Sequence, residues 1–357
     1  MSYSFMPLRF YEGEAPLAGV PACGCPNNCE GEEGMKRGAV FLSCLLFLGL
    51  VALNSCRPSG DQAGREGRLL VVTTLFPLYD FAKNVCGLKG DVVLLLPPGV
   101  EPHSFDPKPG DVMKIHKADI FVYTGDFMEP WAAAIIKGAV RRDLVVVDSS
   151  RGTRLRQESE NHGPPGQGPD AATRHDGAAS ESVDPHIWLD LGNAQIMVDN
   201  ILAGFIKKDP GNRSFYEKNA TAYKAKLGEL DEKFRKGLAS CETRLFVHGG
   251  HYAFNYLARR YNLSYVSAYG FSPDAEPSPR HLADIVQEMR LHHTRYVFYE
   301  ELLQPRMAET IAQETDARLL PLNGGHNVTK EELRKGVTFI SLLEHDLDNL
   351  RKGLQCR

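Results

Sequence analysis

Three histidines stand in three separated settings, each of a kind that presents a metal ligand. His103 lies in Pro-Pro-Gly-Val-Glu-Pro-His-Ser-Phe-Asp-Pro, His186 in Asp-Pro-His-Ile-Trp-Leu-Asp, and His251 in His-Tyr-Ala-Phe-Asn-Tyr-Leu-Ala-Arg-Arg-Tyr. Neutral imidazole is the commonest protein ligand for zinc. Pro97, Pro98, Pro102 and Pro107 stiffen the loop around His103, because proline fixes φ and lowers the entropy lost on ordering. Taken alone, His103 also reads as a surface histidine in a proline-rich turn. Ile187, Trp188 and Leu189 anchor the His186 segment. Asp184 and Asp190 can accept the ring N–H that a metal-bound histidine leaves over. A satisfied core histidine is an equal reading of His186 in isolation. His248 lies three residues before His251 and could approach the same ion; it is read as a neighbour.

A fourth ligand is needed to close a tetrahedral site. His326 is favoured, in Asn-Gly-Gly-His-Asn-Val-Thr after a strand ending near Leu322. Gly324 and Gly325 let the backbone turn sharply there. The rivals are Glu300 and Glu301 at another strand end, where a carboxylate could bind directly or orient a histidine, and Asn323. The plainer reading of His326 is a cap for the helix that follows. The pair His292-His293 looks like a solvated helix end, and His116, His281 and His345 suggest no partner. There is no His-Glu-x-x-His pattern and no nucleophile elbow, which disfavours a zinc hydrolase.

The elements that must position these residues alternate. Short apolar, β-branched runs occur at 69–75, 91–96, 119–123 and 144–147, as in strands buried on both faces. A helix is expected over 127–136 between them. A second series follows at 244–247, 264–268, 296–299 and 318–322, separated by helices over 253–261, 279–290 and 305–315. Helices over 193–208, with an apolar stripe of Met197, Ile201 and Phe205, and over about 214–240 lie between the two series, and a final helix covers 337–354. The fold class is α/β: two βα lobes with mainly parallel sheets joined by a long rigid helix, the metal site in the cleft between them. Residues 68–191 form the N-terminal lobe, with a mobile polar loop at 149–183 that carries His162 and His175. Residues 192–241 are connecting helices, and 242–357 the C-terminal lobe.

The first 56 residues bear on location. Met35-Lys36-Arg37, an apolar run from Ala39 to Leu53, and Asn54-Ser55-Cys56 form the pattern of an export signal. The run is too short to span a bilayer comfortably. Leu53-Asn54-Ser55-Cys56 resembles a bacterial lipobox, so 35–55 reads as a lipoprotein signal peptide, Cys56 as the lipidated residue and 56–67 as a linker; an ordinary signal with a chance cysteine is the alternative. Residues 1–34 fit no targeting pattern and read as an upstream extension, with translation starting at Met35 and Cys23, Cys25 and Cys29 outside the protein; a small metal knot of those cysteines is the alternative. The chain has 357 residues, 43% hydrophobic and 24% charged. Removing the first 55 takes Lys plus Arg from 41 to 38 and Asp plus Glu from 45 to 40, so net charge moves from −4 to −2. That balance argues against nucleic acid as a partner. Besides Cys56 the remainder holds Cys86, Cys241 and Cys356, which allows one bridge but does not name the pair.

Four stretches together give a resemblance. They are Glu101-Pro-His103 with Asp106-Pro107, Asp184-Pro-His-Ile-Trp-Leu-Asp190, His251-x-Ala-Phe-x-Tyr-Leu257 and Ser272-Pro-Asp-Ala-Glu-Pro-Ser278. From about Leu69 to Leu354 the chain resembles the metal-binding lipoproteins of ABC-type zinc and manganese importers. The resemblance implies a non-enzymatic, extracytoplasmic receptor, held to the membrane by a lipid anchor, monomeric, and partnered by an ABC permease and its ATPase. It implies His103 and His186 from the first lobe, and His251 with one more ligand from the second. Manganese-preferring relatives carry a carboxylate where His251 stands, so Zn²⁺ is expected, with Mn²⁺ or Fe²⁺ as the alternative cargo and a metal-binding surface adhesin as the alternative role. Two departures stand out. The loop is poor in histidine, and the usual second-lobe aspartate is not evident in Leu320-Pro-Leu-Asn-Gly-Gly-His326-Asn.

Overall fold

The computed structural model describes residues 67–139, 141–157, 183–270, 277–300 and 305–357. The export signal, Cys56, the linker up to residue 66, most of the polar loop, Glu301 and most of the Ser272–Ser278 motif lie outside the described residues.

The first series folds as β1 (Leu69–Thr73), α1 (Phe76–Cys86), β2 (Gly90–Leu94), α2 (Pro109–Lys117), β3 (Ile120–Tyr123), α3 (Ala132–Lys137) and β4 (Val145–Asp148). These strands make one wholly parallel sheet in the order β2-β1-β3-β4. Val71 and Val72 of β1 and Ile120, Phe121 and Val122 of β3 are fully buried, as central strands covered on both faces require. Two helices follow, α4 (Leu191–Lys208) and α5 (Arg213–Gly237). The second series is β5 (Leu245–His248), α6 (Asn255–Arg260), β6 (Ser264–Ser267), α7 (Pro279–Leu291), β7 (Tyr296–Tyr299), α8 (Arg306–Thr315) and β8 (Arg318–Pro321), then α9 (Lys330–Lys335) and α10 (Phe339–Gly353). Its sheet is again parallel, in the order β6-β5-β7-β8.

Asp190 starts α4 by accepting from Gly192 N at 2.7 Å and Asn193 N at 3.2 Å. The expected stripe of Met197, Ile201 and Phe205 is fully buried. The long helix α5 buries Tyr216, Ala220, Leu227 and Phe234 along one face. Polar ties lock it to both series. Asp80 of α1 accepts from Tyr223 Oη at 2.7 Å and from Phe339 N at 3.3 Å. Arg260 of α6 reaches Asp231 of α5 at 2.6 and 2.8 Å and Asp190 at 2.7 Å. Among the described residues no helix is long and apolar enough to cross a membrane.

Two expectations are corrected and one gap is filled. The helix expected over 127–136 begins at Ala132. Glu129 turns its carboxylate back onto Thr124 N at 3.0 Å, Gly125 N at 3.1 Å and the Thr74 hydroxyl, which holds the preceding residues in turns. The second connecting helix stops at Gly237 rather than near Ser240. The disulfide joins Cys241 to Cys356, leaving Cys86 as a buried free thiol. The polar loop is pinned at both ends, by Ser149 N donating to Tyr123 O at 3.0 Å and by an antiparallel bridge between Gln157 and Val183.

Candidate metal centre

Each candidate ligand follows the carboxyl end of a strand or precedes the start of a helix, and an α/β sheet leaves room for a ligand beyond its strand ends. His103 lies in the loop after β2, and His186 in the segment that leads through a short 3₁₀ turn into α4. His251 follows β5, Glu300 follows β7 and His326 follows β8. Strands β5 and β7 are neighbours, so His251 and Glu300 meet although 49 residues separate them.

The imidazoles of His103, His186 and His251 converge. His186 Nε2 is 3.2 Å from His103 Nε2 and 3.0 Å from His251 Nε2. A zinc tetrahedron with bonds of about 2.0–2.1 Å has edges of roughly 3.3 Å, close to both distances. Carboxylates fix which nitrogen is free. His186 Nδ1 donates to Asp184 Oδ1 at 2.9 Å, and His251 Nδ1 to Glu300 Oε1 at 2.6 Å. With those protons placed outward, the two Nε2 atoms present lone pairs to each other across 3.0 Å. A shared cation resolves that repulsion.

The backbone shapes this contact. A Cβ at Gly250 would lie 2.2 Å from Glu300 Oε1 and 2.6 Å from His248 Cε1, so only glycine lets the carboxylate approach. Glu300 Oε1 also accepts from His251 N at 2.9 Å. Asp184 is held in turn by Asn255 Nδ2 at 3.3 Å, while Tyr256 Oη donates to the Asp184 carbonyl at 3.1 Å. Sequence reasoning did not single out Asn255 and Tyr256. Their place inside the His-x-Ala-Phe-Asn-Tyr-Leu run is the signal that could have found them.

The remaining candidates separate clearly. The His326 ring centre lies 5.7 Å from that of His251 and 6.4 Å from that of His186. It is buried, and its Nδ1 has no hydrogen-bond partner. It does not cap the next helix; the Thr329 side chain does, accepting from Glu332 N at 3.2 Å. Gly325 takes φ +70°, the turn expected of it. Asn323 shapes that turn, its Oδ1 accepting from Gly325 N at 2.7 Å. His248 is fully buried behind the site, its Nδ1 3.9 Å from Glu300 Oε1, and neither ring nitrogen has a hydrogen-bond partner. Asp190 does not reach His186; it caps α4 and pairs with Arg260. His281 and His116 do have partners, the carbonyls of Ser267 and Ile135. Among the described residues, the only group of three or more metal-binding side chains is His103, His186 and His251, whose ligand atoms lie within 4.8 Å of one another.

Electrostatics follows burial. Burial pushes His103 down to about 3 and His326 to about 4, with the charge of His251 acting in the same direction. Burial also opposes charge on His251, but the Glu300 carboxylate and its hydrogen bond outweigh it and raise that ring above its usual value. Burial pushes Asp184 up to about 7.

Known proteins share this architecture. Residues 71–353 match the family described as ZnuA, zinc-uptake complex component A periplasmic. The chain is 36% identical over 315 residues to the high-affinity zinc uptake system protein ZnuA of Bacillus subtilis, covering 88% of this chain and 96% of that one. It is 32% identical to the zinc-binding lipoprotein AdcA of Streptococcus pneumoniae over 89% of its own length, but spans 61% of that longer protein. The crystal structure of the Zn(II)-bound ZnuA-like domain of Streptococcus pneumoniae AdcA superposes with a TM-score of 0.66 at 31% identity, covering 81% of this chain and 99% of that one. On the match over residues 71–353, the chain belongs to the zinc-uptake complex component A family.

Proposed function

We infer that this protein is an extracytoplasmic receptor that captures Zn²⁺ and delivers it to an ABC-type importer. Members of this family are solute-binding receptors rather than enzymes. The observation that carries the reading is the convergence of imidazole nitrogens at 3.0 and 3.2 Å, with carboxylates holding two of the outer ring protons. An all-nitrogen set suits zinc better than manganese, which favours oxygen ligands. Metal analysis of the purified protein, with competition among Zn²⁺, Mn²⁺ and Fe²⁺, tests it. One bound zinc that excess Mn²⁺ fails to displace is expected; preferential retention of Mn²⁺ overturns the reading.

His326 is the fourth ligand in this reading. Support comes from its burial, its unpartnered Nδ1 and its ring 5.7 Å from that of His251. His326→Ala should weaken zinc binding strongly and leave the fold intact. If Glu301→Ala does so and His326→Ala does not, the carboxylate is the ligand. The lobe boundaries at 68–191, 192–241 and 242–357, a monomeric state and a lipid anchor at Cys56 belong to the same proposal. Cys56→Ala should release the protein from membranes or block its maturation; retention with normal processing counts against the anchor.

A further inference from the structure

Asn327, next to His326 in the chain, is fully buried. Its Nδ2 donates to two carbonyl oxygens of the loop that carries His103, Pro97 O at 2.9 Å and Val100 O at 2.7 Å. Its Oδ1 accepts from Val328 N at 2.8 Å, which fixes the amide: turned over, it would set an oxygen against two carbonyls. Val328 O accepts from Gly99 N at 2.9 Å. Three hydrogen bonds therefore hold the His103 loop to the segment after β8, and none uses a metal-binding atom. Within the loop, Val100 N donates to Pro97 O at 3.1 Å and His103 N to Glu101 Oε1 at 3.1 Å, so its shape is set locally but its position is set from outside. Pro97, Gly99 and Val100 are exposed, and packing gives these residues little further anchorage.

The same segment reaches the other first-lobe elements. Gly324 O accepts from Trp188 Nε1 at 2.8 Å, two residues from His186, and His326 O accepts from Phe76 N at 3.2 Å. Residues 324–328 thus touch the His103 loop, the His186 segment and the start of α1.

We propose that Asn327 is a positioning residue for His103, holding the loop so that the imidazole stands at bonding distance before the ion arrives. An imidazole that is already placed loses less freedom on binding, and that shows as affinity. The inference rests on reading His103 as a zinc ligand. Zinc competition titrations on the purified full chain compare wild type, Asn327→Ala, His103→Ala and the double variant. Asn327→Ala should weaken binding about tenfold in the wild-type background, as losing the support of a metal ligand does. It should weaken binding less than about twofold where His103 is already absent, because residues acting through one another are not additive. Asn327→Ala should also lower the thermal midpoint of the metal-free protein, as losing buried hydrogen bonds does, and by the same amount in both backgrounds, so the difference in zinc affinity between backgrounds carries the test. Equal losses of zinc affinity in both backgrounds, or no loss in either while His103→Ala weakens binding, overturn the role of Asn327 and leave the site intact. A His103→Ala variant with wild-type affinity overturns the ligand reading and this inference with it. If Asn327→Ala does not fold, Asn327→Ser, which keeps a shorter donor, takes its place under the same criteria.

Discussion

A proton and a zinc ion compete for the same nitrogen of His251. Glu300 raises that ring above 6.5, and burial holds Asp184 near about 7, while His103 and His326 stay bare down to about 3 and 4. In the metal-free pocket His251 is therefore the candidate ligand that most readily carries an extra proton, and zinc must expel it to bind there. Affinity should fall as pH drops below about 7, roughly tenfold per pH unit for each proton released. Calorimetry in two buffers of different ionisation enthalpy counts those protons, and a release of three or more would show that His103 and His326 titrate as ordinary histidines. Glu300 also orients His251, so Glu300→Ala should weaken zinc binding by about 10–100-fold with the ligands intact; an unchanged dissociation constant would remove it from the site. The residues that converge, His103, His186 and His251 with the acceptor Asp184, were legible because each sits in a short local motif. Glu300 was legible as a rival ligand or as a carboxylate that orients a histidine; which histidine was not, since its contact with His251 depends on two strands becoming neighbours. Asp190 was misread for a related reason: a carboxylate four residues from a histidine also suits a helix cap.

The strands were read almost residue for residue, because a parallel strand buried on both faces is a continuous apolar run, as in Leu69–Thr73 and Tyr296–Tyr299. Helix α3 was not, because its start depends on where one carboxylate points. Glu129 accepts from Thr124 N and Gly125 N, while its other oxygen takes the Thr74 and Thr124 hydroxyls. Removing the carboxylate leaves the two backbone N–H groups without an acceptor. Glu129→Ala should therefore destabilise the protein by about 1–3 kcal/mol, the penalty of buried donors left unpaired. Denaturant unfolding of the metal-free protein measures this, and a change within about 0.5 kcal/mol would mean the turn before α3 holds without it. The cysteine pair was beyond reach for a different reason: 115 residues separate Cys241 from Cys356, and three thiols allow three pairings.

At the scale of the molecule, that bridge ties the segment after α5 to the residues after α10, enclosing the whole second sheet. A cross-link over so long a loop restricts the unfolded chain strongly, so Cys356→Ser should cost about 2–5 kcal/mol. Comparing denaturation midpoints of the variant and the oxidised parent tests it, and equal midpoints would show that the bridge adds nothing. The burial of His186, His251 and His326 carries a kinetic consequence. Their exposures are 0%, 0% and 3%, so a chelator could reach an ion held there only past the half-buried His103. If the segments around the ion must part first, a collective motion on the order of microseconds to milliseconds at its fastest, zinc leaves no faster than they do. The rate of stripping by a chelator should then reach a plateau that further chelator does not raise, and the plateau is the opening rate itself. A rate that keeps climbing in proportion to chelator would mean the ion is attacked where it sits. If the plateau is seen, the receptor holds its cargo by a door as much as by its affinity, and a permease that pries the two sheets apart could collect zinc from a site that no soluble competitor can empty quickly.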